Sequence, residues 1–351
     1  MIRWQNYLFS TAKYICLMRR FSITNVCLKD VKTVVKEVDP YCKIRIKCNY
    51  NLNIVPYDLL ECPDSNMLKM IINNNILEPS IDCTGNQVEI IDNSSGSPES
   101  CVLEIPIKAD LEIDNLGDTT LSDLYSDQIR VRSVGNITTK NLRSSLIHLQ
   151  SNRGNISCKG TTLAQSTQIS ACGKGNILLN KLQGDEVNAE TELGDISVDS
   201  SYSNNSSFKT QQGNLMLKNI HKHCCVSTEG TGRLVMTGFY GTLEATVSSQ
   251  EVDLQLSEIV GQSHVIAKSA RELTLSVSDT VCDSSEIVVN CKQLAIDSNF
   301  HANQNSKLNK PGTICFGDVT TENKLQIEAG EYVKLRKMSW ADTLGLHTRI
   351  E

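Results

Sequence analysis

Aromatic residues are scarce in this sequence: Phe, Trp and Tyr together make up 5% of its 351 residues. That scarcity argues against a surface on which nucleic-acid bases or sugar rings stack. The chain also carries a formal net charge of −6 and has a pI near 5.6, whereas phosphate binding needs clustered lysines and arginines. We therefore expect no nucleic-acid partner.

Long apolar runs and paired-cysteine motifs are absent as well. No stretch approaches the ~18 consecutive apolar residues of a membrane-spanning helix, so we expect no transmembrane segment. None of the 14 cysteines belongs to a Cys-x-x-Cys pair, the main signal of zinc ribbons and thioredoxin-like sites. Cys42 and Cys48 occupy strand-like apolar positions, where a free thiol packs as a small apolar side chain. These features favour buried thiols in a reducing compartment over a secreted disulfide framework.

Motifs for the common chemistries are also missing. The sequence contains no nucleophile elbow, no glycine-rich phosphate loop and no His-Glu-x-x-His segment. We therefore expect a protein that is not an enzyme, with no catalytic residue and no cofactor. The alternative is an enzyme of polysaccharide lyase or hydrolase type, acting on an extended polymer in a groove of carboxylates. The acids available for such a groove are Asp185, Asp195, Asp199 and Asp253.

Proline is absent between Pro106 and Pro311, as expected for strands that are paired on both sides and need every backbone N–H. A glycine recurs in the same interval with spacings of 19, 21, 19, 19 and 19 residues. These glycines are Gly135, Gly154, Gly175, Gly194, Gly213 and Gly232. The first five are followed by Asn or Asp and then by Ile or Leu, at Asn136, Asn155, Asn176, Asp195 and Asn214. The repeat and the proline-free interval coincide.

Each repeat alternates apolar and polar residues on both sides of its glycine. Val187, Ala189, Thr191 and Leu193 alternate before the Gly-Asp corner, and Ile196 begins the alternation after it. A period of two indicates a strand with one buried face. A looser second corner falls at Gly184, Gly241 and Gly261 in three repeats. The glycine is lost after Gly232, but strand-like segments continue in phase at "EVDLQL", "ELTLSV" and "QLAIDS".

Two architectures fit a repeat of strand, corner, strand and corner. Gly-Asn is also a two-residue hairpin turn, so two repeats could form one blade of a propeller. Uniform phasing over single repeats instead favours a single-stranded β-solenoid with about 19–21 residues per coil. Stacked corners would then place the Asn residues in a ladder, which stabilises such stacks. Asp195 is expected to turn towards solvent from that row.

The pattern predicts three regions beside a terminal targeting segment. Residues 110–305 form the solenoid, and 29–109 form an N-terminal β cap with long half-buried strands at 42–54 and 103–113. Residues 306–351 supply C-terminal capping strands at "GTICF" and "EYVKLRKM" and a short helix with Trp340 and Leu344. Solenoids need such end caps to remain soluble.

Residues 1–28 have the composition of a mitochondrial transit peptide. They contain four basic and no acidic side chains, and the first acid is Asp30. The segment "RRFS" at 19–22 matches a matrix-protease cleavage pattern. We therefore expect a mitochondrial protein, with a cytoplasmic or secreted location as the alternatives.

The segment "HKHCC" is the one dense cluster of metal-binding residue types in the sequence. Strand alternation would place His221 and His223 on one face, and adjacent Cys224 and Cys225 on opposite faces. The weak candidates for a metal site are His221, His223 and Cys224. A tetrahedral structural site usually draws on a second, distant pair of ligands, so we expect no metal.

The repeated "GNI" and "GDISVDS" segments resemble the putative-adhesin domain family of bacterial proteins. More narrowly, the chain is similar to an animal protein family in its early strand at 42–54, its repeats, and an ending with "GTICF" followed by "KMSW". The resemblance implies a β-solenoid and supplies no catalytic residues. We expect a scaffold or protein-interaction module with a protein partner, or alternatively a cell-surface adhesin.

Overall fold

The computed structural model describes residues 32–72, 79–92, 100–297, 307–310, 313–317 and 320–338. The predicted transit peptide and the predicted helix at Trp340 and Leu344 lie outside these residues. Ten strands precede the long repeats: β1 (Lys32–Glu37), β2 (Lys43–Cys48), β3 (Asn51–Pro56), β4 (Met67–Ile72), β5 (Ser80–Thr84), β6 (Gln87–Ile91), β7 (Ser100–Ile105), β8 (Asp110–Asn115), β9 (Thr119–Ser122) and β10 (Gln128–Ser133).

Six long strands form the centre of the molecule, and shorter elements follow them. The long strands are β11 (Ile137–Ser151), β12 (Ile156–Ala171), β13 (Ile177–Thr191), β14 (Ile196–Thr210), β15 (Leu215–Thr228) and β16 (Leu234–Val247). The later elements are β17 (Glu251–Ile259), β18 (Gln262–Ala267), β19 (Glu272–Val277), α1 (Asp279–Ser284), β20 (Glu286–Asn290), β21 (Gln293–Ile296), β22 (Lys307–Lys310), β23 (Thr313–Gly317), β24 (Lys324–Ala329) and β25 (Tyr332–Lys337).

Successive long strands pair in parallel, one repeat above the next. Ile137 lies opposite Ile156, which lies opposite Ile177, and the same column continues through Ile196. A propeller blade or meander would pair neighbouring strands antiparallel, so that alternative is wrong. The prediction of a β-solenoid is confirmed.

Each coil contributes two strand segments to two walls around one core. We call wall 1 the segments that follow the glycine corner and wall 2 those that precede it; each long strand begins in wall 1 and ends in wall 2. Most inward residues are apolar and buried, as at Ile177, Leu179, Val187 and Ala189, and buried Ser and Thr side chains lie among them. Burial of these alternate side chains is the main favourable term for such a stack. Leu193, expected inward, is 41% exposed because β13 ends at Thr191 and the corner has begun.

The order of coils in space departs from chain order at the N-terminal end. β2 pairs in parallel with both β6 and β8, and β3 pairs with both β7 and β9. The first coil of the chain therefore lies between two coils that come later. Antiparallel β4 and β1 extend wall 1 beyond β7, and antiparallel β5 lies on β6. Strands from 29–109 thus take part in the stack itself, and the predicted domain boundaries stay predictions.

A similar exchange occurs at the C-terminal end. β24 pairs in parallel with β18 and β20, and β25 with β19 and β21. The coil at 324–337 is thereby inserted between coils that precede it in sequence. The "ELTLSV" segment forms β19 and the start of "QLAIDS" forms β21, and β25 lies between these two strands in space. Antiparallel β23 and β22 finish wall 2.

The alternating segments at 42–54 and 103–113 are not single long strands. A corner at Tyr50 separates β2 from β3, and residues 106–109 separate β7 from β8. Tyr50 points inward with 1% exposure, so the apolar alternation runs unbroken through the corner. Periodicity could not reveal the turn for that reason.

The described cysteines are free, and five of them are buried: Cys42, Cys48, Cys101, Cys158 and Cys224. Within the described ranges, no helix is long and apolar enough to cross a bilayer.

Candidate functional site

The marker glycines form a column along one edge of the solenoid. A Cβ added to Gly194 would overlap the carbonyl of Gly175, and one added to Gly213 would overlap that of Gly194. The same relation holds for Gly154 and Gly135, for Gly175 and Gly154, and for Gly232 and Gly213. None of these glycines has a left-handed backbone. The repeat therefore needs glycine because adjacent coils approach closely, and not because of an unusual φ.

The residues after these glycines form a hydrogen-bonded ladder. Asn136 Oδ1 accepts from the backbone N–H of Asn155 at 2.9 Å, and Asn155 Oδ1 accepts from the N–H of Asn176 at 2.8 Å. Asn176 Oδ1 bonds in the same way to the N–H of Asp195 at 2.9 Å. Each side chain thus satisfies a backbone donor of the next coil.

Asp195 stays in the ladder instead of turning away from it. Its Oδ1 accepts from the backbone N–H of Asn214 at 2.7 Å and from Asn214 Nδ2 at 3.0 Å. A carboxylate supplies the same acceptor as an amide oxygen, and the corner leaves the carboxylate half-buried. Asp118 at the start of the ladder has the same role, accepting from the N–H of Asn136 at 2.7 Å.

A buried column of hydroxyl groups lies beside the glycines, and sequence reasoning missed it. Ser151 Oγ donates to the carbonyl of Gly135 at 2.8 Å, and Thr191 Oγ1 donates to that of Gly175 at 2.8 Å. Thr210 Oγ1 makes the equivalent bond to Gly194 at 3.1 Å. The signal was available as a Ser or Thr three residues before the glycine, but Ala171 interrupts the column.

The four acids proposed for a catalytic groove lie in different parts of the coils. Asp185 at the loose corner accepts from Asn204 Nδ2 at 2.7 Å, and Asp199 accepts from Asn180 Nδ2 at 3.3 Å. Asp195 belongs to the ladder, and Asp253 lies opposite Val235 on wall 1. The first three carboxylates therefore bond to Asn groups of neighbouring coils, and the four do not meet in one cleft.

The "HKHCC" segment lies in β15 at the loose corner, where Lys222 adopts a left-handed φ of 66°. This breaks the regular alternation and separates the two histidines. The His221 ring stacks between Tyr202 and Tyr240, with centroid distances of 4.6 and 4.7 Å. Burial lowers the pKa of His221, against a smaller raising effect of Glu258. Cys224 points into the core, where burial raises its pKa.

His223 instead lies near Cys225 and Glu244. Its Nε2 is 3.4 Å from Cys225 Sγ, and that sulfur is 3.9 Å from Glu244 Oε2. The three ligand atoms lie within 4.8 Å of one another. Burial raises the pKa of the Cys225 thiol, and the Glu244 charge raises it further. Of the predicted metal candidates, only His223 belongs to this group, because Cys224 points into the core and the His221 ring stacks between two tyrosines.

The outer face of wall 1 carries an apolar row flanked by charge. The row consists of Leu178, Met216 and Val235, which share one register column with Ser197. Leu178 is 50% and Met216 43% exposed. Exposed lysines lie beside the row at Lys140, Lys159 and Lys218. Asp199 lies among them, and Asp253 follows Val235 in the column of the row. This face combines apolar contact area with local positive charge.

Comparison with known proteins identifies the repeats. The Toastrack DUF4097 family model matches residues 84–271, more than half of the chain. Solved structures of putative adhesins are similar to the chain at low identity. One from Parabacteroides merdae ATCC 43184 shares 9% identity with a TM-score of 0.42, covering 88% of this chain and 97% of that chain. One from Bacteroides fragilis NCTC 9343 shares 16% identity with a TM-score of 0.39, covering 66% and 98%.

Proposed function

Because the chain belongs to the Toastrack DUF4097 family, we propose that it is a non-catalytic β-solenoid scaffold that binds a protein partner on the outer face of wall 1. The observation that carries the proposal is the apolar row, in which Leu178 and Met216 are about half exposed on a flat array of paired strands. Apolar side chains on an ordered sheet bury area against a partner without first having to become ordered.

The charges around the row indicate the character of that partner. The protein as a whole is acidic, yet Lys140, Lys159 and Lys218 flank the row. A partner that offers acidic side chains around an apolar ridge would complement this face in charge as well as in shape.

A sugar polymer is a poorer match for the exposed rings. Sugars pack on open aromatic faces, but Tyr202 has one ring face against His221 and Lys181 Nζ at 5.8 Å from its centroid. The His221 ring is covered on both sides by tyrosines. These two rings are therefore poorly placed to stack on a sugar, and the row itself contains no aromatic side chain.

Site-specific crosslinking would test the proposal. A photoreactive residue at Ser197 on wall 1 should capture a defined protein, whereas one at Asn188 on wall 2 should not. Complex formation with that purified protein should be lost in a Leu178→Asp, Met216→Asp double variant and retained in the control Asn188→Asp. Equal capture from both positions, or unchanged affinity of the double variant, would contradict a binding face on wall 1. Capture of a polysaccharide at Ser197 would favour the polymer-acting alternative.

We further propose, from the composition of residues 1–28 alone, that the protein is imported into mitochondria. We also propose that its nearer relationship within the repeat family is to the animal protein family. Tagged full-length protein should locate to mitochondria, and a version without residues 1–21 should not. Import of the shortened form would contradict the targeting proposal. Appearance of the full-length protein at the cell surface would instead support the adhesin alternative.

A further inference from the structure

We infer that His223, Cys225 and Glu244 form a zinc site on the outer face of wall 2, independent of the proposed binding face on wall 1. His223 and Cys225 are alternate residues of β15, so both project from the same side of the strand. Glu244 lies directly opposite Cys225 on the neighbouring parallel strand β16. The three residues therefore bring a nitrogen, a sulfur and an oxygen to one point.

The distances between these atoms fit one zinc ion. Zinc binds imidazole nitrogen at about 2.0–2.1 Å and thiolate sulfur at about 2.3 Å in tetrahedral geometry, which makes the N···S edge about 3.6 Å. His223 Nε2 and Cys225 Sγ are 3.4 Å apart. The S···O edge should be about 3.5 Å on the same geometry, and the observed Cys225–Glu244 distance is 3.9 Å. The His223 nitrogen and the Glu244 oxygen lie within 4.8 Å of each other, and the Glu244 carboxylate must move towards the imidazole to complete the shell, because a tetrahedral N···O edge is about 3.4 Å.

The backbone holds the ligands in place before any ion binds. β15 is paired on both sides, with β14 and with β16, so its two ligands are fixed by ladders of hydrogen bonds. Sites built on regular strands are more accurately positioned than sites on loops. Lys222 does not compete for the carboxylate, because its ammonium bonds to Asn204 Oδ1 at 2.5 Å.

The donor set selects zinc among the abundant divalent ions. Magnesium and calcium prefer shells made of oxygen, whereas a thiolate with an imidazole and a carboxylate suits zinc. Two of the three ligands are anionic when bound, which balances the charge of the ion. The fourth position faces outward, where His264 on β18 lies opposite Glu244. His264 or a water molecule would complete the tetrahedron.

Zinc titration of the reduced, chelator-treated full chain tests the site. The wild type should bind one zinc ion in competition with a chromophoric chelator. His223→Ala, Cys225→Ala and Glu244→Gln should each weaken binding by at least about tenfold, given that even residues supporting a ligand contribute 10–100-fold. Cys172→Ala and His148→Ala, which remove a half-buried thiol and imidazole elsewhere, are the matched controls and should bind as the wild type does. Circular dichroism establishes that each variant is folded.

Alkylation provides a readout that needs no variant. Zinc should slow the modification of Cys225 by iodoacetamide, measured peptide by peptide, and leave exposed Cys83 unaffected. Three results would overturn the proposal: wild-type zinc affinity no greater than that of Cys225→Ala, equal alkylation of Cys225 with and without zinc, or a loss of affinity in His221→Ala as large as in His223→Ala. The last result would instead assign the ion to the pair of histidines that strand alternation indicates.

Discussion

The guanidinium of Arg45 lies 3.2 Å from the carboxylate of Glu112, although 67 residues separate them in the sequence. The contact joins β2 to β8, and it is one of several places on wall 2 where opposite charges face each other across these strands. β2 presents Lys and Arg outward, and it lies between β6, which presents Glu89, and β8, which presents three acids. Chain order would place β6 against β8 and so bring Glu89 next to Glu112. Opposite charges across adjacent strands therefore favour the exchanged order, since like charges directly opposite are destabilising.

Reversing the charge at this contact should weaken the N-terminal coils. Glu112→Lys should lower the free energy of unfolding by about 1 kcal/mol, because it places cations beside Lys43 and Arg45. The double variant Arg45→Glu, Glu112→Lys should recover little of the loss, because it places a carboxylate opposite Glu89 and a cation opposite Arg130. Glu186→Lys, whose register neighbours Ser166 and Asn205 are uncharged, is the control. Denaturant unfolding measures all four proteins, and equal losses at Glu112 and Glu186 would contradict a charge-specified order.

Acid should abolish the contribution of Glu112. Partial burial raises the pKa of this carboxyl, but hydrogen bonds from Lys43 and Arg45 outweigh burial and hold the pKa below the ordinary value of 4.5. A lowered carboxyl pKa contributes stability above the ordinary value, and that stability is lost as pH falls through the lowered pKa. The free energy of unfolding of the wild type should therefore exceed that of Glu112→Gln by roughly 0.5–1 kcal/mol at pH 7. A gap that persists under strongly acidic conditions would show that the pair acts through packing instead.

The loss of stability on substituting a column glycine should increase with the size of the new side chain. Gly194→Ala should destabilise the protein by about 1–3 kcal/mol, because its Cβ meets the carbonyl of Gly175, and Gly194→Asn should destabilise it further. Gly85, in the β5–β6 turn, has a φ of 61° and open space around it, so Asn should be tolerated there better than Ala. Thermal and denaturant midpoints test the two opposite orders. The same order at both glycines would contradict the steric explanation.

The ladder should accept Asp in place of an Asn whose two ladder neighbours are also Asn. Asn155→Asp keeps an acceptor for the N–H of Asn176 and should change the free energy of unfolding little. Asn155→Ala leaves that N–H without its 2.8 Å partner and should cost about 0.5–1.5 kcal/mol. Native-state hydrogen exchange at Asn176 provides a local readout, and equal protection in both variants would count against the ladder.

Buried thiols should resist alkylation in the folded protein. Burial raises the pKa of Cys158 from 9.0 to about 11, which lowers its thiolate fraction near pH 8 about 100-fold, and its side chain is inaccessible. Cys83 is exposed and should react at once. Mass spectrometry after brief iodoacetamide treatment measures both sites, with denatured protein as the control. Rapid native labelling of Cys158 would contradict the buried assignment.

Local patterns determined the solenoid because every coil repeats the same physical requirement. The glycine spacing, the alternating apolar residues and the missing prolines all follow from parallel strands stacked around one core. They can therefore be recognised in the sequence of a few consecutive repeats. Sequence reasoning also singled out the segment 221–225 as a dense cluster of metal-binding residue types, although it expected no metal there.

Only the tertiary structure decided which residues that are far apart in the sequence come into contact. The place of β2 between β6 and β8 brings together residues that lie 67 positions apart, and no local period encodes it. His221 stacks between Tyr202 and Tyr240, and His223 lies beside Cys225 on the other side of the left-handed Lys222. Glu244 joined them only through the pairing of β15 with β16. Periodicity gives the form of a coil, but which side chains meet depends on the neighbours that each coil acquires and on single residues that depart from the period.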